Sequence, residues 1–129
     1  MNNYKVLIAD DDVPFTTAVS VRLRSEGYDV VVAQDGYMAL DTAVKQKPDL
    51  LILDINMPAG NGFSVHERLR QHAHMSTVPL IYVTGERNEW LRDSSLEHGA
   101  FGFLRKPFDS EELLTLVRQA LGQEAIEIP

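Results

Sequence analysis

Residues 49–62 read DLLILDINMPAGNG, running from Asp49 to Gly62. Leu50, Leu51, Ile52 and Leu53 are apolar in succession, so a strand made from them must be covered on both faces. That is the pattern of a central strand in a parallel sheet, because a sheet with one wet face would alternate apolar and polar residues. The run ends at Asp54 and enters the loop INMPAGNG, whose Pro, Gly and Asn residues stop regular structure.

Working outward, apolar runs alternate with helical patterns about five times. Tyr4 to Ala9 (YKVLIA) forms a strand that runs into Asp10, Asp11 and Asp12. Phe15, Ala18, Val19 and Leu23 follow at helical spacing, with Pro14 suited to a first turn and Gly27 to a C-terminal stop. Tyr28 to Ala33 (YDVVVA) is a second strand, and a short helix over about residues 37–45 is closed by Pro48. Beyond the central strand, Val65 and Leu69 lie one turn apart in a helix predicted over about residues 63–71. Pro79 to Val83 (PLIYV) is a fourth strand ending at Thr84. Residues 88–98 make the weakest helix, since Asn88, Asp93, Ser94 and Ser95 are poor formers. Gly99 stops it, and Phe101 to Leu104 make a short fifth strand leading to Lys106-Pro107. In the last helix Asp109 and Glu112 have the spacing of a capping box, and Leu113, Leu116, Val117, Ala120 and Leu121 form one stripe. The tail QEAIEIP, residues 123–129, has no periodicity and reads as a tail or linker stub. Strands alternating with helices at this spacing imply right-handed βαβ units, a parallel sheet covered on both faces, and one domain over residues 1–122.

The bulk numbers narrow the function. A chain of 129 residues buries roughly two thirds of its unfolded surface, enough for one real core. With no cysteine, disulfide frameworks, thiolate metal sites and thiol nucleophiles are excluded. A formal charge of -7 argues against direct nucleic-acid binding by this domain, which would need a basic face. No apolar run approaches a membrane span of about 18 residues, and the opening MNNYKVLIADDD lacks the layout of a signal peptide. The expected location is cytoplasmic.

In an open parallel sheet ligands bind beyond the carboxyl ends of the strands, where the strand order reverses. Here strand one ends at Asp10, Asp11 and Asp12, strand three at Asp54 and strand four at Thr84, and strand five leads to Lys106. Asp10, Asp11 and Asp54 would repel one another without a counter-charge, so a cation is expected. An all-oxygen donor set selects a hard cation, and Mg²⁺ held by a few carboxylates, waters and phosphate oxygens suits it. One carboxylate can act as a nucleophile and form an acyl phosphate. Lys106 and the cation can neutralise charge on a phosphoryl group, while the Thr84 hydroxyl holds one of its oxygens.

Four motifs now stand in order: VLIADDD with the acid pair Asp10-Asp11, LLILDINMP with Asp54, YVTGE with Thr84, and FLRKPF with Lys106-Pro107. In that order and spacing the chain, over about Tyr4 to Leu121, resembles the receiver domain of bacterial two-component response regulators. The resemblance implies a doubly wound (βα)5 α/β domain with a five-stranded parallel sheet in flavodoxin-like order 2-1-3-4-5. It implies phosphorylation of Asp54 by a sensor histidine kinase or histidine phosphotransfer protein. Mg²⁺ would be held by Asp10, Asp11, Asp54 and the Asn56 backbone carbonyl. Thr84 and Lys106 would contact the phosphoryl group, with Gly85 leaving room for it and Phe103 at the aromatic switch position. Pro107 would follow a cis peptide bond. Output would pass through the face made by the fourth helix, fifth strand and last helix, to a partner protein, a fused output domain or a second copy. Such a domain is a phospho-acceptor rather than an enzyme, beyond self-phosphorylation from phosphodonors and slow autodephosphorylation. Charge-paired dimers of the winged-helix subfamily resemble a pattern with acids before the switch aromatic and several arginines on the last helix. Here Gly99-Ala100-Phe101-Gly102 precede Phe103 and only Arg118 is present, so the face is expected to be more apolar, with Phe101, Phe103 and Trp90 on it.

An aspartate-based phosphohydrolase of the haloacid-dehalogenase type is the competing class. It is similar in pairing a strand-end Asp with Mg²⁺, Thr and Lys, but its D-x-D-x-T/V motif is spoiled here by Pro14 in Asp10-x-Asp12-x-Pro14. Asp12 reads instead as the cap of the first helix. Gly60-Asn61-Gly62 reads as a loop and helix start, not a dinucleotide turn, because Val65 stands where a third glycine is needed. His66, His72, His74 and His98 read as surface residues, and Met38, Met57 and Met75 as gap-fillers or loop residues. Trp90 is either partly packed on the sheet or an interaction anchor.

Overall fold

Over residues 3–126, which the computed structural model describes, five strands alternate with five helices. They are β1 (Lys5–Ala9), α1 (Val13–Ser25), β2 (Asp29–Ala33), α2 (Gly36–Gln46), β3 (Leu50–Asp54), α3 (Gly62–Leu69), β4 (Leu80–Thr84), α4 (Trp90–Glu97), β5 (Gly102–Arg105) and α5 (Ser110–Ala120). All pairings are parallel and the order is β2-β1-β3-β4-β5. The chain moves outward from β1 to β2, crosses back to β3, and continues the other way. The order therefore reverses between β1 and β3. Among the described residues no helix is long and apolar enough to cross a membrane.

The strand period explains two cores. On one face Leu7, Ala9, Leu51, Leu53, Leu80, Tyr82 and Phe103 pack with α2, α3 and α4 through residues such as Ala39, Val65, Leu69 and Leu91. On the other, Val6, Ile8, Leu50, Ile52, Ile81, Val83 and Leu104 pack with α1 and α5 through Val19, Leu23, Leu113 and Val117. Every residue of β3 and β4 is buried, as the central position requires. Burying each large side chain contributes about 1.5–3 kcal/mol, so this pattern drives the assembly.

Side-chain caps fix where helices begin. Asp12, Asp35 and Asn61 each accept a bond from the backbone N–H three residues on, at 3.1, 2.7 and 2.9 Å. Asp109 and Glu112 form the expected capping box of α5. The last strand starts at Gly102, one residue after the expected Phe101, although the Phe101 N–H already bonds the Leu80 carbonyl. Residues 123 and 124 lie against the domain: Gln123 Oε1 accepts from the Tyr28 hydroxyl at 2.5 Å, and Glu124 pairs with Arg118 at 3.1 Å. Residues 127–129 of the tail lie outside the described residues.

Candidate functional site

The reversal of strand order leaves a crevice between the ends of β1 and β3. Ala9 is in register with Leu53, so the next residues along, Asp10 and Asp54, arrive side by side. Asp11 follows in the loop. Asp10 and Asp54 are buried while Asp11 is exposed, and one carboxylate oxygen of each lies within 4.8 Å of the others. The Asp54 carboxyl is pushed up to about 7, first by burial and next by the charge of Asp10. The Asn56 N–H, which donates to Asp54 Oδ1 at 3.1 Å, and Lys106 pull the other way without cancelling these effects.

Lys106 comes in from β5. Its ammonium lies 2.6 Å from Asp10 Oδ2, 4.0 Å from Asp12 Oδ2, and 4.1 Å from the centre of the Phe15 ring. The Lys106 N–H bonds the Thr84 carbonyl at 2.7 Å, which ties the two strand ends together. The Lys106–Pro107 peptide bond is cis. Thr84 is fully buried, and its Oγ1 accepts from the Glu86 N–H at 3.1 Å. At Gly85 a Cβ would meet nothing within 4 Å, so there is open space beside Thr84. A cleft of about 390 Å³ opens next to Lys106, lined by residues including Phe15, Val19, Arg22, Phe108 and Leu113.

Three acids close to one lysine leave negative charge in excess, and burial together with the charge of Asp10 lets Asp54 hold its proton to near neutrality. All candidate donors are oxygens, and two are buried. A hard divalent cation is what such a set accommodates. Asp12 is accounted for as the α1 cap, so the D-x-D reading of a phosphohydrolase loses its second acid.

Other residues were placed differently from the sequence reading. His66 is not on the surface. It is buried on α3, its Nδ1 2.7 Å from the Tyr82 hydroxyl on β4, and burial, then Arg70, lowers its pKa to about 4. The physical reason is helical phase, since Gly62, His66 and Leu69 share the face that packs on the sheet. His98 is half-buried, and its ring stacks on Phe63 with centroids 4.4 Å apart. Met75 and Met57 fill the core, whereas Met38 is exposed. Trp90 is 60% exposed at the start of α4, so it is not packed on the sheet. Phe103 is buried rather than displayed, with the Arg92 and Arg105 guanidinium groups 5.3 and 5.4 Å from its ring centre. Phe101 is half-buried, leaving Trp90 and Leu96 as the large exposed apolar residues of α4. An arginine at the end of a strand is common, so the sequence alone does not single out Arg105. Its partners lie on another element, beyond the reach of spacing.

The sequence profile of the response regulator receiver domain matches residues 6–118. The chain is 35% identical over 127 residues to the alkaline phosphatase synthesis transcriptional regulatory protein PhoP of Bacillus subtilis, covering 98% of this chain and 52% of that protein. It spans about half the length of the curated relatives it matches. A putative response regulator from Chloroflexus aurantiacus superposes with a TM-score of 0.88 at 33% identity, covering 94% of this chain and 99% of that one. The receiver domain of the sensor histidine kinase PA1611 of Pseudomonas aeruginosa, with magnesium coordinated in its active-site cleft, superposes at 0.85 with 28% identity, over 94% and 99% of the two chains.

Proposed function

This chain belongs to the response regulator receiver domain family, and on that premise we propose that Asp54 is its phospho-acceptor. The observation that carries the assignment is the buried position of Asp54 at the end of the central strand, beside Asp10 and Asp11 and across from Lys106 and Thr84. A carboxylate oxygen of Asp54 would attack the phosphorus of a phosphohistidine on a sensor kinase or phosphotransfer protein. The new O–P bond forms as the P–N bond breaks, and the imidazole leaves. Mg²⁺, held by Asp10, Asp11, Asp54 and the Asn56 carbonyl, would neutralise charge on the transferring group.

The remaining roles fall to the chain's own residues. Lys106, half-buried and paired with Asp10, can turn its ammonium to a phosphoryl oxygen. Thr84 uses an oxygen lone pair on the Glu86 N–H, which leaves its own O–H to donate to another. The space beside Gly85 leaves room for the group. Because two forms of the β4–α4 segment can differ by a few kcal/mol, a new contact at Thr84 is enough to shift their balance. Phe103, buried beneath Arg92 and Arg105, would readjust with it, and the α4-β5-α5 face would carry the signal to a partner or output domain. On the same reading residues 1–122 are the receiver unit, residues 123–129 are a tail or linker, and the domain works in the cytoplasm. It acts by single modification, with self-phosphorylation from small donors and slow loss of the phosphoryl group.

Calorimetry tests the metal half of this reading. Asp11→Ala is expected to lower Mg²⁺ affinity at least tenfold with the fold intact by circular dichroism, since an exposed ligand carries little of the core. Equal affinity in the two proteins would remove Asp11 from the site.

A further inference from the structure

The loop between β4 and α4, residues 85–89, has no regular structure, and α4 begins without a side-chain cap. A segment of that kind is among the first to open. A strong side-chain tie to this loop comes from the neighbouring strand. Arg105, the register partner of Thr84, donates from Nε to the Glu86 carbonyl and from Nη2 to the Asn88 carbonyl, each at 2.9 Å. The Glu86 N–H then reaches Thr84 Oγ1 at 3.1 Å. The same guanidinium lies over the buried Phe103 ring. One side chain is thereby linked to the Thr84 hydroxyl, the entry of α4, and the aromatic ring on β5.

From this geometry we propose that Arg105 is a positioning residue for the phosphoryl contact of Thr84, holding the β4–α4 loop so that the Thr84 hydroxyl stands ready and loop, helix and Phe103 respond as one unit. The inference rests on Asp54 being the acceptor. The orienting bond to Thr84 comes from a residue of the loop itself, so it persists only while that loop is held. With Arg105 gone, the loop would have to be ordered at the expense of phosphoryl binding. A lysine keeps the charge at position 105 but lacks the planar fork that spans two carbonyls. Charge and positioning can therefore be separated.

The test measures binding of beryllofluoride, a phosphoryl mimic, at saturating Mg²⁺ to the wild type, Arg105→Lys, Thr84→Ala and the double variant. The fluorescence of the sole tryptophan, Trp90, reports from the start of α4. Arg105→Lys is expected to weaken binding about three- to tenfold, the scale of one or two net hydrogen bonds. It should also speed amide exchange at residues 85–91 and leave Mg²⁺ affinity unchanged. In the Thr84→Ala background the same change should cost nothing, because its effect runs through Thr84. Binding equal to or tighter than wild type, or a loss that persists without Thr84, would overturn the role. If the wild type itself fails to bind the mimic, the acceptor reading falls and this role falls with it, a result seen before any variant is compared.

Discussion

At Asp54 two demands collide: a strand end with no wet face calls for an apolar residue, and the phosphoryl chemistry proposed for it calls for a charge. The conflict is visible in its carboxyl, raised to about 7 by burial and by Asp10. A folded pKa above the unfolded one means that the folded state binds the proton more tightly. Stability from this group is therefore full below the unfolded value near 4 and lost as pH rises towards 7. In metal-free buffer, Asp54→Asn is expected to raise Tm above wild type at pH 8, with the gain shrinking as pH falls to 5. A thermal melt series measures it, and a variant less stable than wild type at pH 8 would contradict the charge argument. The carboxylates, Thr84 and Lys106 were legible because each closes an apolar run, where a polar residue stands out. His66 was not, because its partner Tyr82 lies on another element, though its phase between Gly62 and Leu69 was a usable signal.

Helix starts decide how strand ends are presented. Asn61 read only as part of a loop and helix start, but the caps Asp12 and Asp109 could be read from residue type and position, because a short side-chain acceptor ahead of an apolar stripe has one obvious use. The close approach behind Asn61 could not. A Cβ on Gly62 would lie 2.6 Å from the Asp54 carbonyl oxygen and 3.2 Å from the Tyr82 ring. Helix propensity alone favours Gly62→Ala by up to about 1 kcal/mol. Overpacking against backbone costs about 1–3 kcal/mol, so the clash wins and displaces the turn after β3. Urea denaturation is expected to show Gly62→Ala less stable than wild type, with slower phosphorylation by acetyl phosphate. A variant as stable as wild type, or more so, would show that the turn gives way freely. The weak α4 was also legible from Asn88, Asp93, Ser94 and Ser95; its tie to β5 through Arg105 was not.

For the molecule as a whole, one sheet separates two cores, and its reversed strand order gathers residues from positions 10, 54, 84 and 106 at one edge. A parallel sheet covered on both faces is readable from alternating apolar runs, whereas the strand order itself was implied by the family resemblance and not by the runs. What the runs leave open is the outer surface. The large exposed apolar residues of α4 are Trp90 and Leu96, while Phe103 is buried. Arg118, the one arginine of α5, already pairs within the chain with Glu124 at 3.1 Å and Glu26 at 3.9 Å. The function proposed for the molecule turns on a single carboxylate, Asp54, taking the phosphoryl group. Incubation with acetyl phosphate and Mg²⁺, borohydride reduction of the acyl phosphate to an alcohol, and peptide mass mapping test it directly. One modified residue per chain, Asp54, is expected, and none in Asp54→Asn; modification at Asp10, Asp11 or elsewhere, or undiminished labelling of the variant, would contradict the assignment.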